Sequence, residues 1–368
     1  MKQRPPTIKD VAEQAGCGIA TVSRVLNGSG SASADTREKV LAAVDALGFE
    51  FSALGRSLQS NSTKTIGCIV PSLANPIFAE VVQAAQHEAH REGYQLILAC
   101  SEYDEELELQ AVRTLIAKKI DGLVLTVNNA EDSEALALIG KRQVPCSLVY
   151  NRSVHGLPSW AIDNRSAARE AARAFHGHGH VQTGFLALRF NRSDRSRERY
   201  EGFVEACRDY GMAEPLLLEI EEQDGNLLDL LGTLLTEHKS LTGIFASNDF
   251  LALAAMKAAR ALGRRIPENL SLIGFDGIST GLMVDPHLTT IETDPRTMGQ
   301  GAVQTVLARL LGRPVPGQPA PDTTFRFRPG GSLGPPDPGR TDGREAATSL
   351  PSSEQPPNRL SSRQESPT

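Results

Sequence analysis

Residues 7–28 read TIKDVAEQAGCGIATVSRVLNG, and this stretch predicts two short helices joined by a tight turn. Thr7 is a suitable helix N-cap, and Asp10 follows three residues later, so the first helix should begin here. Gly16 interrupts that helix, and a second one should occupy about residues 19–26. Two helices with a glycine-containing turn form a helix-turn-helix, whose second helix lies in the major groove of DNA.

The second predicted helix has one apolar face and one outward face. At about 100° per residue, Val22 and Val25 fall together on the face that a core would cover. The opposite face carries Ile19, Ala20, Ser23 and Arg24. An arginine can donate two hydrogen bonds to guanine, and small apolar side chains suit the methyl group of thymine. The alternative interpretation is a purely structural cap of three short helices, the third at about residues 35–47, with a solvated Arg24.

Charge is distributed unevenly along the chain. The whole sequence has 38 Lys and Arg against 44 Asp and Glu, which gives a net charge of −6. Residues 1–64 contain eight basic and six acidic side chains, so this part carries +2 and the remainder −8. The asymmetry weakly favours a DNA-binding N-terminal region. Hydroxyls such as those of Thr21 and Ser23 would have to supply part of the phosphate contacts.

From Thr65 onward, apolar runs of strand length alternate with amphipathic helical stretches. The runs are residues 66–70, 95–99, 122–125, 147–149, 184–187, 243–246 and 270–274. Continuous apolar strands with helices between them are typical of parallel sheets covered on both faces. The pattern occurs in two successive series, so we expect an α/β architecture of two doubly wound lobes. Ligands of such sheets bind beyond the carboxyl ends of the strands, so the cleft between the lobes is the expected small-molecule site.

Composition then divides the chain into four regions. We predict a helix-turn-helix domain at residues 1–50, a hinge helix or linker at 51–64 and a two-lobed domain at 65–328. Residues 329–368 contain eight Pro, seven Ser and five Gly, half of that segment, so we predict a disordered tail. The tail has no leucine heptad, which favours a dimer over a tetramer.

Several classes of protein are disfavoured by what the sequence lacks. No apolar stretch approaches the roughly 18 residues of a membrane span, and the N-terminus does not resemble an export signal. Five widely spaced cysteines indicate reduced thiols in the cytoplasm. No catalytic set or phosphate-binding loop is present, so we expect no enzyme and no cofactor. His176, His178 and His180 are close in sequence but have no neighbouring Cys or carboxylate to complete a metal site.

Taken together, these motifs resemble the LacI/GalR family of transcription regulators. The N-terminal matches are residues 7–12, 15–16 and 20–28, and the later ones are 56–58, 66–71, 75–76, 247–249, 273–276 and 288–291. The resemblance extends over about residues 7–327. It implies a sequence-specific DNA-binding repressor that acts as a homodimer on a pseudo-palindromic operator. The alternative, a two-lobed sugar-binding protein without a DNA role, leaves residues 1–64 unexplained.

The resemblance also assigns roles to individual residues at the DNA. Ile19, Ala20 and Arg24 would read bases, and Leu58 of the hinge would wedge between base pairs in the minor groove. The complete expected DNA-binding set is Thr7, Ile19, Ala20, Thr21, Ser23, Arg24, Asn27, Arg56 and Leu58. Gly55 replaces the family's usual alanine in the hinge, and glycine weakens helices. We therefore expect a hinge that folds only on the operator.

For the cleft, two residues follow from the strand pattern and the others from the resemblance or from charge. Asn248 and Asp276 come directly after apolar strands, although Asn248 could merely cap a helix and Asp276 stabilise a turn. The resemblance adds Phe78, Asn151, Arg152, Asp163 and Arg199 as effector contacts. Arg192 and Arg195 crowd the same stretch as Arg199, so a sugar acid or sugar phosphate is one expected effector class. A neutral sugar or nucleoside is the other.

Overall fold

The computed structural model describes residues 4, 6–27, 32–49, 62–220, 227–317, 324–337 and 359–360. The chain divides into two compact units, Met1–Lys64 and Thr65–Thr368. No helix in the described ranges combines the length and the apolar character that crossing a membrane requires.

The first unit contains three helices around a small apolar core. They are α1 (Ile8–Gln14), α2 (Ile19–Asn27) and α3 (Ala34–Leu47). Thr7 and Asp10 form a capping box at the start of α1, in which the Thr7 amide donates to Asp10 Oδ2 at 2.7 Å. The core consists of Val11, Ala12, Val22, Val25, Val40 and Ala43. The predicted helix-turn-helix is therefore confirmed.

The second unit begins with a lobe built on a parallel five-stranded sheet. Its strands are β1 (Thr65–Val70), β2 (Gln95–Cys100), β3 (Gly122–Leu125), β4 (Cys146–Tyr150) and β5 (Ser159–Ala161), in the order β2-β1-β3-β4-β5. The helices between them are α4 (Pro76–Arg91), α5 (Glu105–Ala117) and α6 (Glu134–Arg142). Asn75 and Asp104 cap α4 and α5. All strand pairs in this sheet are parallel, as the alternating pattern predicts.

The other lobe repeats the arrangement with a second sheet. Its strands are β6 (Thr183–Leu188), β7 (Leu216–Ile220), β8 (Gly243–Ala246), β9 (Ser271–Asp276), β10 (Thr289–Thr293), β11 (Phe325–Arg328) and β12 (Arg359–Leu360). They lie in the order β11-β10-β9-β8-β6-β7-β12. The helices are α7 (Asn164–Gly177), α8 (Asp194–Asp209), α9 (Leu227–Glu237) and α10 (Asp249–Ala261). Only β11 is antiparallel to its neighbour among these strands. The expected pair of doubly wound lobes is confirmed.

The chain crosses between the lobes more than once, so the lobes are joined as one folded unit. It enters the second lobe after β5 and returns to the first through α11 (Pro295–Leu311), which packs against α4 and β4. β11 then belongs to the second sheet again. Connections of this kind can act as hinges between lobes.

The strand β2 differs from the buried strands that its apolar composition predicts. It lies at the edge of the first sheet, and its side chains are exposed or half-buried. Ile97 and Leu98 are each 36% exposed. An exposed apolar strand at a sheet edge is a surface that proteins usually cover or pair.

The prediction of a disordered tail from residue 329 is wrong for its first nine residues. Residues 329–337 are described and pack against the second lobe. Ser332 is fully buried, and its hydroxyl donates to the Leu272 carbonyl at 2.6 Å. The His180 Nε2 contacts the Gly334 carbonyl at 2.9 Å. Composition averaged over the tail does not reveal this segment, which is held by hydrogen bonds and by Leu333 packed against the core.

Candidate nucleic-acid interface and ligand cleft

The helix α2 presents its predicted reading face outward. Ile19 is 43% exposed, and Ala20 and Arg24 are also exposed. Val22 and Val25 are buried in the core on the opposite side. The Arg24 Nε donates to the Ala20 carbonyl at 3.3 Å, so the guanidinium lies along the outer surface of the helix. An exposed isoleucine beside an arginine is the kind of face that reads base edges.

The structure describes only some of the remaining residues that we predict to contact DNA. Thr21 and Ser23 are half-buried on α2, where their hydroxyls lie at the border of the exposed face. Thr7 caps α1, with its hydroxyl 2.7 Å from Asp10 Oδ2. Asn27 is the last residue of α2. Arg56, Leu58 and residues 51–61 of the predicted hinge lie outside the described residues.

A polar cleft lies between the two lobes of the second unit, with about 440 Å³ of space including its open mouth. The first lobe lines it with Asn75, Ile77, Phe78, Tyr103 and Tyr150. The second lobe contributes Leu188, Ser193, Arg195, Ser196, Arg199, Ser247, Asn248 and Asp276. Five of the nine predicted effector residues therefore meet here: Phe78, Arg195, Arg199, Asn248 and Asp276. Their contact with a ligand stays a prediction.

A buried acid and a buried guanidinium dominate the floor of the cleft. Asp276 is 4% exposed, and burial raises its pKa to about 6 although Arg199 opposes the shift. Asn75 donates its amide to Asp276 Oδ2 at 3.4 Å, so the two lobes meet at this carboxyl group. Burial also lowers the pKa of Arg199 to about 10. The Arg199 Nε donates to Asn164 Oδ1 at 2.9 Å, and its guanidinium lies 3.5 Å from the centre of the Phe275 ring.

Asp249 holds the backbone on which Asp276 sits. Its Oδ2 accepts hydrogen bonds from the amides of Gly277 and Ile278, each at 2.8 Å, and its Oδ1 accepts one from the Thr290 hydroxyl. Asp276 has a φ of 109°, a conformation that costs free energy in any residue but glycine. The three hydrogen bonds to Asp249 therefore help to keep the Asp276 carboxyl group in the cleft.

The start of α8 joins the second lobe to the first. The Asp194 amide donates to the Asn128 carbonyl at 3.0 Å, and Asp194 Oδ2 accepts from the Ala130 amide at 3.1 Å. Asn151 donates its side-chain amide to Asp194 Oδ2 at 2.9 Å. The Arg195 Nη1 reaches across to the Val127 carbonyl at 2.6 Å. These contacts set the angle between the lobes at one end of the cleft.

Four predicted effector residues lie outside the cleft. Asn151 is fully buried and bonded to Asp194 and to the Val127 backbone. Arg152 is exposed and pairs with Glu131, and Asp163 caps α7 by accepting from the Ser166 amide at 3.0 Å. Arg192 is exposed at the end of a short 3₁₀ helix. Structural hydrogen bonds or ion pairs account for Asn151, Arg152 and Asp163, and none of the four residues lines the cleft.

The sequence analysis missed several cleft residues whose positions follow a common rule. Tyr150 is the last residue of β4, and Asn75 and Tyr103 lie a few residues beyond the ends of β1 and β2. Residues just beyond the carboxyl ends of parallel strands usually contact the ligand, and this rule could have identified all three. Asn248 combines two roles, because it lines the cleft while its Oδ1 accepts from the Leu251 amide at 2.8 Å as the cap of α10. Within the described ranges, no group of three His, Cys, Asp or Glu side chains is arranged to hold a metal ion.

Two family models match separate parts of the chain. Residues 7–51 match the bacterial regulatory proteins of the lacI family. Residues 63–319 match the periplasmic binding proteins and sugar binding domain of the LacI family. The second match alone covers more than half of the 368 residues.

Regulators of transcription are among the similar proteins over almost the whole length. The ribose operon repressor of Halalkalibacterium halodurans is 31% identical over 313 residues, which cover 84% of this chain and 92% of that protein. The HTH-type transcriptional regulator GntR of Escherichia coli K12 is 30% identical over 335 residues, which cover 90% and 100%. These relatives are regulators and not enzymes, in agreement with the sequence-based expectation.

The solved structures add a match of the whole fold. The lac repressor dimer bound to operator and the anti-inducer ONPF superposes with a TM-score of 0.78 at 27% identity. The superposition covers 89% of this chain and 99% of that one. The lac repressor bound to ONPG in its repressed state also gives a TM-score of 0.78 at 27% identity, with coverage of 90% and 100%.

Proposed function

Since this chain belongs to the LacI family of bacterial regulatory proteins and is a DNA-binding transcriptional regulator, we propose that it represses transcription from a pseudo-palindromic operator. It binds the operator as a homodimer in the cytoplasm. A small polyhydroxylated effector in the inter-lobe cleft controls that binding.

The outward face of α2 supports the operator part of the proposal. Ile19 and Arg24 are exposed on a helix whose other face is anchored by two buried valines. Such a face can enter the major groove as a rigid body, with Arg24 donating to guanine. Phosphate contacts from hydroxyls and helix ends then set the register on the duplex.

The polar side chains that converge in the cleft are the single observation that supports binding of a polyhydroxylated effector there. Asp276 offers carboxyl oxygens, Asn75 and Asn248 offer amides, and Arg195 and Arg199 offer guanidinium groups. Several hydrogen-bonding groups in one cleft suit a ligand with several hydroxyls. Tyr103, Tyr150 and Phe78 add flat apolar surfaces on the first lobe.

Exposed apolar side chains on the second unit support the homodimer. Ile97 and Leu98 lie on the open edge of β2, and Leu282 and Met283 are 49% and 79% exposed after β9. We infer that a second copy covers such side chains, since the fold also matches a lac repressor dimer bound to operator. A symmetric pair of DNA-reading helices would then face the two halves of a pseudo-palindrome.

Coupling between the cleft and the operator tests the proposal. Duplexes selected from a random pool by the purified protein supply the operator, and fluorescence anisotropy measures its dissociation constant with and without candidate sugars and sugar acids. We expect at least one ligand to change operator affinity about fivefold or more, as coupling free energies usually do. Asp276→Ala should abolish this ligand-dependent change, with each affinity compared with the variant's own ligand-free value.

Arg192→Ala is the matched control, because Arg192 belongs to the same stretch but is exposed outside the cleft. This variant should keep the coupling. Ligand coupling that survives Asp276→Ala unchanged would contradict the assignment of the cleft, and the absence of any selected duplex would contradict the operator part.

A further inference from the structure

The end of the cleft at the start of α8 contains a buried guanidinium group with one nitrogen that lacks a hydrogen-bond acceptor. The charged residues that line the cleft are Arg195, Arg199 and Asp276, so its lining carries two positive charges against one negative. Asp276 lies near Arg199, whose guanidinium acts to lower the pKa of Asp276. Arg195 also acts to lower the pKa of Asp276, and it forms an ion pair with Asp194 beside the cleft.

One terminal nitrogen of the Arg195 guanidinium is hydrogen-bonded, and the other has no partner. Its side chain is 6% exposed, and its Nη1 is bonded to the Val127 carbonyl at 2.6 Å and to Asp194 Oδ1 at 3.1 Å. Its Nη2 is buried and has no hydrogen-bond partner among the described residues. A buried guanidinium nitrogen without an acceptor costs free energy, so an acceptor brought by a ligand would be bound favourably.

Asp194 does not supply the missing hydrogen-bond acceptor for Arg195 Nη2. Its carboxylate already accepts from the Asn151 amide and the Ala130 backbone amide as well as from Arg195 Nη1. The bonds from Asn151 and Ala130 join the two lobes, and Nη2 of Arg195 forms no bond to Asp194.

The neighbouring groups also favour negative charge. Arg199 lies one helical turn after Arg195 on α8, and the two guanidinium groups repel each other, which contributes to the low pKa of Arg199. Ser193 and Ser196 lie at the first turn of this 16-residue helix and line the same cleft. The N-terminus of a helix carries a partial positive charge and suits an anion.

We propose that the effector carries a carboxylate or a phosphate group, which binds Arg195 Nη2 at the N-terminal end of α8. This inference rests on the proposed function, since it names the ligand class of the same cleft. The hydroxyls of the ligand would then face Asp276 and Asn248 on the second lobe. A guanidinium nitrogen already fixed by Val127 loses little freedom on binding, which adds to the preference for an anion.

Thermal shift of the full-length protein with small anions tests the inference without knowledge of the effector. Sodium phosphate and sodium acetate are compared with sodium chloride at equal ionic strength. The wild-type protein should show a saturable rise in Tm with phosphate or acetate beyond that with chloride. Whichever anion binds more tightly indicates whether the effector is a sugar phosphate or a sugar acid.

Three variants locate the anion site. Arg195→Gln and Arg195→Lys should each reduce the affinity for the anion about tenfold or more, because both lose the guanidinium Nη2. Arg192→Gln removes the same charge from an exposed position and should behave like the wild type. Each Tm shift is measured against the variant's own ligand-free Tm, and the lysine variant retains the charge in case the glutamine variant is unstable.

The result that overturns the inference is equally specific. If phosphate and acetate stabilise the protein no more than chloride, or if both Arg195 variants keep the full shift, the anion site is absent. Neutral glucose, galactose and ribose serve as further probes beside glucuronate, galactonate and ribose 5-phosphate. If a neutral sugar changes operator affinity more than its acid does, the inference is overturned and the proposed function stays intact. If anions bind but no ligand changes operator affinity, the proposed function is overturned and the anion site stays intact.

Discussion

Asp249 contributes to the cleft without lining it, because it fixes the backbone that carries Asp276. Burial and the nearby Asp276 raise the pKa of Asp249 to about 8, while hydrogen bonds from Thr290 and two amides oppose the shift. At neutral pH the folded protein therefore holds this carboxyl group largely protonated. Unfolding exposes it to water, where it ionises, so its contribution to stability falls as the pH rises from about 4 to about 8.

Asp249→Asn should remove this loss of stability at high pH. Asparagine is similar in shape, can accept from the amides of Gly277 and Ile278, and can donate to Thr290. The difference in free energy of unfolding between the variant and the wild type should widen by about 3–4 kcal/mol from pH 5 to pH 8, because linkage costs about 1.4 kcal/mol per pH unit while the folded carboxyl group stays protonated. Urea unfolding at the two pH values measures the difference. A gap between variant and wild type that does not widen with pH would show that Asp249 is ionised in the folded state.

At the scale of single residues, sequence reasoning identified the chemistry better than the direction of a side chain. The resemblance assigned Asn151, directly after β4, to the effector, yet Tyr150 lines the cleft and Asn151 does not. Successive side chains near a strand end point to opposite sides, so a shift of one residue decides between ligand contact and a structural hydrogen bond. The three arginines of one stretch were separated in the same way, since Arg195 and Arg199 point inward and Arg192 is exposed.

At the scale of elements, α11 shows how close packing joins parts of the first lobe. A Cβ atom at Gly301 would lie 2.3 Å from the indole ring of Trp160, a separation far below van der Waals contact. The Trp160 Nε1 also donates to the Thr305 hydroxyl on the same helix at 3.0 Å. Glycine is therefore required at residue 301 for α11 to lie against β5, although it lowers the intrinsic stability of the helix.

Glycine-to-alanine substitutions in two helices should consequently have opposite effects. Gly301→Ala should lower the free energy of unfolding by about 1–3 kcal/mol, because the new methyl group overpacks the contact with Trp160. Gly140→Ala in α6 meets nothing within 4 Å and should raise stability by about 0.5–1 kcal/mol. Urea denaturation of both variants and the wild type measures these changes in the free energy of unfolding. Equal signs for the two substitutions would contradict the packing of α11 described above.

Elements were predictable where their patterns were long. The continuous runs at β1, β3 and β8 and the amphipathic pattern of α10 fixed the alternation of strands and helices. β5 has only three residues, and β11 reads Phe-Arg-Phe-Arg at an antiparallel edge, so neither resembles a buried parallel strand. These short or alternating strands depend on neighbours distant in sequence, which local patterns do not contain.

At the scale of the whole molecule, regulation requires only that the effector prefer one arrangement of the lobes. Hydrogen bonds from Asp194 and Arg195 already cross from α8 to the first lobe, and Asn75 meets Asp276 at the floor of the cleft. A ligand that strengthens or breaks such contacts shifts the population of lobe arrangements. If operator binding favours one of them, operator and effector must change each other's affinity by the same factor.

The discrimination between cognate and scrambled duplexes by an Arg24 variant tests the central claim most directly. Fluorescence anisotropy measures both dissociation constants for the wild type, for Arg24→Ala and for Arg37→Ala, which removes the same charge from the exposed surface of α3. We expect Arg24→Ala to reduce the cognate-to-scrambled ratio about tenfold or more, since a bidentate arginine–guanine contact is worth about 1–3 kcal/mol. Arg37→Ala should reduce the affinity for the cognate and the scrambled duplex by the same factor. An unchanged ratio in Arg24→Ala would contradict the assignment of α2 as the helix that reads the operator.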